Sequence, residues 1–149
     1  IGPGTDIHHL RPTDVTVNGA RGHLDFDNGG TKYKGCDCYS DADSWEPPTR
    51  VKGDVARMIF YMAVRYEGDL GELDLELSDT VNTYPKPLHG KLSTLLEWNE
   101  LDPVDEFEQH RNDVIYENWQ NNRNPFIDHP DWAQDIWGSQ ETKKLDKAS

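Results

Sequence analysis

The run Asp6-Ile7-His8-His9-Leu10-Arg11-Pro12-Thr13-Asp14, carried on through Val17-Asn18-Gly19-Ala20-Arg21-Gly22-His23, governs how the rest of this chain is read. Asp6, His8, His9, Arg11, Asp14, Asn18, Arg21 and His23 can each bind a metal ion or a phosphate, and no other segment crowds so many such groups together. Pro12 cannot continue a strand ladder, and Thr13 or Asp14 is a natural N-cap for a helix carrying Val17, Asn18 and Arg21. The expected local order is strand, turn, helix. On such a strand His8 and His9 face opposite sides, so at most one of them reaches a given ligand.

Working outward, 149 residues fit one domain with a real core, over residues 1–138, and a polar tail over 139–149 expected to fray. Five Trp, six Tyr and four Phe in a chain that is 34% hydrophobic point to a fold pinned by large aromatic anchors rather than to disorder. No apolar run approaches membrane-spanning length. The net charge of −13 argues against a phosphate-binding partner until its distribution is examined. Residues 1–57 hold seven Lys and Arg against nine Asp and Glu, whereas residues 58–149 hold eight against nineteen. The acidic load therefore lies mostly away from the opening motif, where local potential matters.

Leu24-Asp25-Phe26-Asp27 alternates like a short strand, broken by Asn28-Gly29-Gly30. Residues 31–44 read as a surface loop with one strand near Lys32 to Lys34. Thr49 can cap a helix whose core face carries Val51, Val55, Met58, Ile59, Met62, Ala63 and Tyr66, ending at Gly68. An acidic link follows, then helix-like spacing from Leu92 to Trp98, a stop at Asp102-Pro103, and a second helix from Val104 to Trp119. Asn121-Asn122-Arg123-Asn124-Pro125 reads as a turn. The segment from Pro125 to Trp137 reads as a loop and a short terminal helix. The fold class is α+β, a small strand element on a mostly helical body. Cys36 and Cys38 flank a single residue, so free thiols, or a bond to another chain, are the expected states. Two thiols are too few for tetrahedral zinc unless histidines join them.

The opening run resembles the second strand and the helix of the ββα-metal (His-Me finger) motif in the endonuclease I family of secreted, non-specific nucleases. Further similarities follow in the same order: Glu46-Pro47-Pro48 with Arg50, Gly53, Ala56-Arg57 and Phe60-Tyr61-Met62, then Trp98-Asn99, Asp102-Pro103-Val104, Arg111-Asn112-Asp113 and Asn122-Arg123-Asn124-Pro125-Phe126. They reach from about Thr5 to about Trp137.

The resemblance implies a divalent-metal-dependent endonuclease that hydrolyses phosphodiester bonds of DNA and RNA. It also implies a secreted or periplasmic location, a monomer, and contacts made to phosphates rather than bases. It carries a metal-ligand role onto Asn18, with Mg²⁺ the expected ion and Mn²⁺ or Ca²⁺ its substitutes. Arg11 and Arg21 are the candidate phosphate-binding forks, either of which could instead pair with Asp6, Asp14 or Asp25. Relatives place the general base and a metal-binding Glu in an Arg-Glu-His strand that this sequence lacks. Either that strand lies upstream of Ile1, the favoured expectation, or His8 or His9 has taken over as catalytic base. A catalytically incomplete module that binds metal or nucleic acid is the alternative.

Overall fold

The computed structural model describes residues 6–11, 15–22, 24–65, 76–78 and 88–138. The expected strand at the start of the motif is instead a single 3₁₀ turn, Ile7–His9. The cause is local: the Asp6 carboxylate accepts a hydrogen bond from the His8 backbone N–H, capping a turn where a ladder would have begun. The helix that follows, α1, spans Val15–Arg21, as the motif predicts, and Gly22 closes it at φ 54°.

Among the described residues six short strands then form one sheet in the order β2-β3-β4-β1-β6-β5. They are β1 (Asp25–Phe26), β2 (Thr31–Lys32), β3 (Tyr39–Ser40), β4 (Ser44–Glu46), β5 (Glu76–Ser78) and β6 (Leu88–Lys91). β2, β3 and β4 pair antiparallel, while β1 lies parallel to both β4 and β6, with Phe26 opposite Trp45 on one side and Gly90 on the other. Gly30, at φ 95°, sits where any β-carbon would collide with the Ser40 backbone, so this corner accepts glycine alone. The stretch expected to be a loop thus supplies two strands beyond the one foreseen. Cys36 and Cys38 within it are joined to each other, which corrects the expectation of free thiols.

Pro48 leads into a 3₁₀ turn, Thr49–Val51, that runs on into α2 (Lys52–Arg65), so the helix starts without the side-chain cap expected of Thr49. α3 (Leu92–Leu101) packs across α2. Their shared core contains Ala56, Ile59, Phe60, Tyr61, Met62, Leu92, Leu95, Leu96 and Trp98. α4 (Glu106–Val114) is capped by Asp105, whose carboxylate accepts from Glu108 N–H, and passes into a wider π turn, Ile115–Trp119. α5 (Pro125–Asp128) is capped by Asn124, and a last helix covers 132–138. Phe60, Phe126 and Trp137 stack with centroids 5.1–5.7 Å apart, closing the far end of the core. The expected tail at 139–149 lies outside the described residues.

The face of α2 is not the apolar stripe that its sequence suggests. Ile59 and Met62 are buried as expected, but so are Asp54 and Arg57, which fall outside the apolar spacing. Arg57 is fully buried and forks onto Glu108 of α4, Nε to Oε1 at 3.0 Å and Nη2 to Oε2 at 2.7 Å, with Nη1 donating to Asn99 Oδ1 at 3.0 Å. Charge on both partners and a full set of hydrogen bonds make this burial tolerable. α2, α3 and α4 are joined through one guanidinium.

Candidate active site

The motif segment is held in place by residues of α2, α4 and the turn that precedes α5. Asp6, fully buried, accepts from the Tyr61 hydroxyl at 2.6 Å and from Gln120 Nε2 at 2.9 Å. Gln120 Oε1 in turn accepts from Ile7 N–H at 3.0 Å, and Asn122 Nδ2 donates to the Tyr61 hydroxyl at 2.8 Å. Arg111 on α4 donates to the Ile7 carbonyl at 2.6 Å and the Leu10 carbonyl at 2.5 Å, stapling both ends of the 3₁₀ turn. Burial and the nearby Arg11 charge lower the Arg111 pKa, against the smaller opposing pull of Asp54 and Glu108.

His8 belongs to this clamp. Its ring is 1% exposed, lies 4.9 Å from the Tyr61 ring, and Nε2 is 2.9 Å from the Asn122 carbonyl oxygen. A carbonyl only accepts, so Nε2 carries the proton and Nδ1 is the bare nitrogen; Nδ1 is buried with no partner. Burial holds the His8 pKa below 6.5, against the opposing pull of the Asn122 carbonyl and Asp6. The structure places His8 as a brace with a sealed ring, where the sequence offered it as a candidate base for a water nucleophile. The His9 side chain lies outside the described residues.

Arg11 reaches Asp54 of α2 at 2.8 Å and covers the Phe107 ring, with the guanidinium carbon 5.3 Å from its centroid. Arg11 Nη1 is thus tied to Asp54, a partner the sequence did not suggest, while Nε is buried without a hydrogen bond. Arg21, at the end of α1, lies half-buried over Phe26 at 4.2 Å, with its pKa lowered by burial and raised by Asp25. Asn18 is exposed on α1, and beside it Gly19 has open space where a β-carbon would stand. The structure thus separates the motif into a buried half that braces (Asp6, His8) and an open helix that presents (Asn18).

Among the described residues no group of three or more His, Cys, Asp or Glu side chains could cage a metal ion. A single amide oxygen on an open helix fits an ion that keeps most of its waters and takes further ligands from a substrate phosphate, as Mg²⁺ does. It does not fit zinc. Among the described residues no helix is long and apolar enough to cross a membrane.

Sequence reading missed Tyr61, Arg111, Gln120 and Asn122 as positioning residues. Their partners are 55 to 114 positions away, and nothing local announces such a bond. Asn122 and Asn124 sit in the stretch read as a turn. Asn124 does build it, while Asn122 also reaches back to the motif.

The sequence model of the family described as Endonuclease I matches residues 2–131. The chain is 67% identical over 137 residues to an extracellular ribonuclease of Bacillus subtilis (strain 168), a match covering 91% of this chain and 48% of that protein. It is 65% identical to an extracellular ribonuclease of Bacillus amyloliquefaciens, over 91% of this chain and 47% of the relative. It is 28% identical over 128 residues to an Endonuclease-1 of Buchnera aphidicola subsp. Acyrthosiphon pisum (strain APS), over 83% of this chain and 44% of the relative. The chain spans about half the length of the curated relatives it matches. With a family match running from residue 2 to residue 131, this chain belongs to the Endonuclease I family.

Proposed function

We propose that this chain is the metal-presenting part of a secreted endonuclease that hydrolyses phosphodiester bonds in DNA and RNA without regard to sequence, through a ββα-metal type of site. The observation that carries the reading is Asn18, exposed on a helix whose neighbouring Gly19 leaves open space, directly after a segment fixed by buried bonds. Asn18 would offer its amide oxygen to Mg²⁺, or to Mn²⁺ or Ca²⁺ in its place. The bound ion would stabilise charge developing on a phosphate. Arg21, one turn on and always charged, is the better placed of the two arginines to meet a second phosphate, because Arg11 is engaged by Asp54. His9 is the candidate proton acceptor within this chain, His8 being a brace. The names of the Bacillus relatives support secretion and RNA cleavage, and that of the Buchnera relative supports endonuclease activity.

The test is incubation of the purified chain with supercoiled plasmid, and separately with RNA, in Mg²⁺ with and without EDTA. Cleavage that EDTA abolishes and Asn18→Ala strongly reduces is the expected result. Cleavage indifferent to both sinks the metal assignment. Intact nucleic acid beside measurable binding favours the alternative, a module that binds but does not cut. The buried ring of His8 is the observation that gives this alternative its weight.

A further inference from the structure

The chain contains two Asn-Gly pairs, Asn18-Gly19 and Asn28-Gly29. In such a pair the glycine nitrogen can attack the asparagine side-chain carbon, because no β-carbon on the following residue obstructs it. The reaction needs three things: a backbone free to bring nitrogen and carbon together, an acceptor for the nitrogen's proton, and polarisation of the amide carbonyl. Asn18 and Gly19 both lie within α1, and the Asn18 carbonyl is tied to Gly22 N–H at 3.0 Å, so the backbone must open before ring closure.

Asn28 is differently placed. It is exposed between β1 and β2, bordering an open cleft of about 590 Å³, and Gly29 has φ 107°, outside any helix or strand. The Gly29 N–H donates to Glu46 Oε2 at 2.6 Å, and Glu46 is itself steadied by Lys52 Nζ at 2.6 Å. On the other side, Trp98 Nε1–H donates to Asn28 Oδ1 at 2.7 Å, drawing electrons from the carbon to be attacked.

We propose that Asn28 is a site of spontaneous, structure-assisted deamidation, and that α1 protects Asn18 from the same fate. The Gly29 nitrogen bonds to Asn28 Cγ as its proton passes to the Glu46 carboxylate. The Cγ–Nδ2 bond then breaks and ammonia leaves with that proton, closing a succinimide. Water opens the ring at either carbonyl, leaving aspartate or isoaspartate at position 28. The product places a new carboxylate against the indole N–H of a buried tryptophan, beside Asp27 and Glu46. The isoaspartate form also lengthens the β1–β2 connection by one backbone carbon. This inference stands apart from the proposed activity, although it bears on it: deamidation at Asn18 would remove the amide assigned to the metal.

The experiment is peptide mapping by mass spectrometry, with isoaspartate detected by enzymatic methylation, after incubation of the folded chain in mildly alkaline buffer and of a parallel sample in urea. In the folded chain conversion at Asn28 should run at least about tenfold faster than at Asn18, because α1 must open before the ring can close at Asn18. In urea the two rates should converge. Glu46→Gln should slow Asn28 and leave Asn18 unchanged. Should that variant unfold, revealed by Asn18 rising to its urea rate, Glu46→Asp takes its place. Equal rates at the two sites in the folded chain, or an Asn28 that persists while the urea sample converts, would overturn the proposal. An undiminished Asn28 rate in the folded Glu46 variant would overturn the role of that carboxylate.

Discussion

Removing the Glu108 carboxylate tests whether the buried guanidinium of Arg57 organises the helical body. Both side chains are at most 2% exposed, and the pair shares two charge-assisted hydrogen bonds at 3.0 and 2.7 Å. Glu108→Ala leaves Arg57 with Asn99 and with Asp54, whose nearer oxygen is 3.5 Å away and whose other is held by Arg11. Breaking one side of a buried pair costs about 3–5 kcal/mol, and the residual partners place this case near the lower figure, about 3 kcal/mol. Against a typical stability of about 5–15 kcal/mol that is a large share. At this chain length it lowers Tm by about 6–12 °C. Urea and thermal melts followed by circular dichroism measure it, with an unchanged urea slope certifying that stability and not compactness has moved. The double variant Arg57→Met/Glu108→Leu, which removes both charges and restores volume, should recover most of the loss. A loss below about 1 kcal/mol in the single variant, or a double variant no better than the single, would refute the argument that an uncompensated buried charge is the cause.

Gly53 backs onto the same cluster, and a β-carbon there would collide with the Asp102 carbonyl and the Arg57 guanidinium, so Gly53→Ala should cost more than about 2 kcal/mol; a wild-type Tm would contradict this. Burial keeps the folded His8 pKa below its ordinary 6.5, so between those two values the unfolded chain takes up a proton that the folded chain refuses. The His8 contribution is therefore complete above 6.5 and lost as pH falls towards the folded value. His8→Gln should flatten the acid side of a stability–pH curve, and identical slopes in variant and wild type would count against it. Arg123, a third exposed and paired with Asp113 and Asp128 at 2.8 Å, is a surface fork, and Arg123→Ala should cost about 1 kcal/mol or less by urea titration. Asn18→Ala should leave the unfolding free energy within about 1 kcal/mol of wild type by urea titration, because the side chain is exposed on a helix that alanine suits at least as well. Its effect should fall on the metal dependence of cleavage, and a strongly destabilised variant would show that Asn18 holds the fold instead.

What could be read from the sequence was what neighbours decide. The helix from Val15 to Arg21, the break at Asn28-Gly29-Gly30 and the stop at Asp102-Pro103 all follow from caps, glycines and prolines acting within a few residues. β3 and β4 were hidden because two or three residues are too few to show alternation, and their pairing is set by strands elsewhere in the sheet. Asp54 and Arg57 fall outside the apolar spacing of α2, so a hydropathy pattern leaves their burial undecided. It cannot see that the matching charge arrives 51 residues later. Asn18 was legible as an exposed helical amide. The buried setting of His8 was not legible because its hydrogen-bond partner lies 114 residues away. The 3₁₀ turn did have a local signal, Asp6 two residues before the N–H that it caps, but the histidine pair drew the reading towards a strand.

The brace across the two ends of this domain also orders events in time. Ile7 and His8 are made before their partners Gln120 and Asn122, which follow 113 and 114 positions later, so during synthesis the segment waits for more than a hundred residues. Closing so long a loop is slow relative to forming any single helix. A nascent or truncated polypeptide therefore carries the residues of the motif without their arrangement, which is complete only once the turn before α5 has docked.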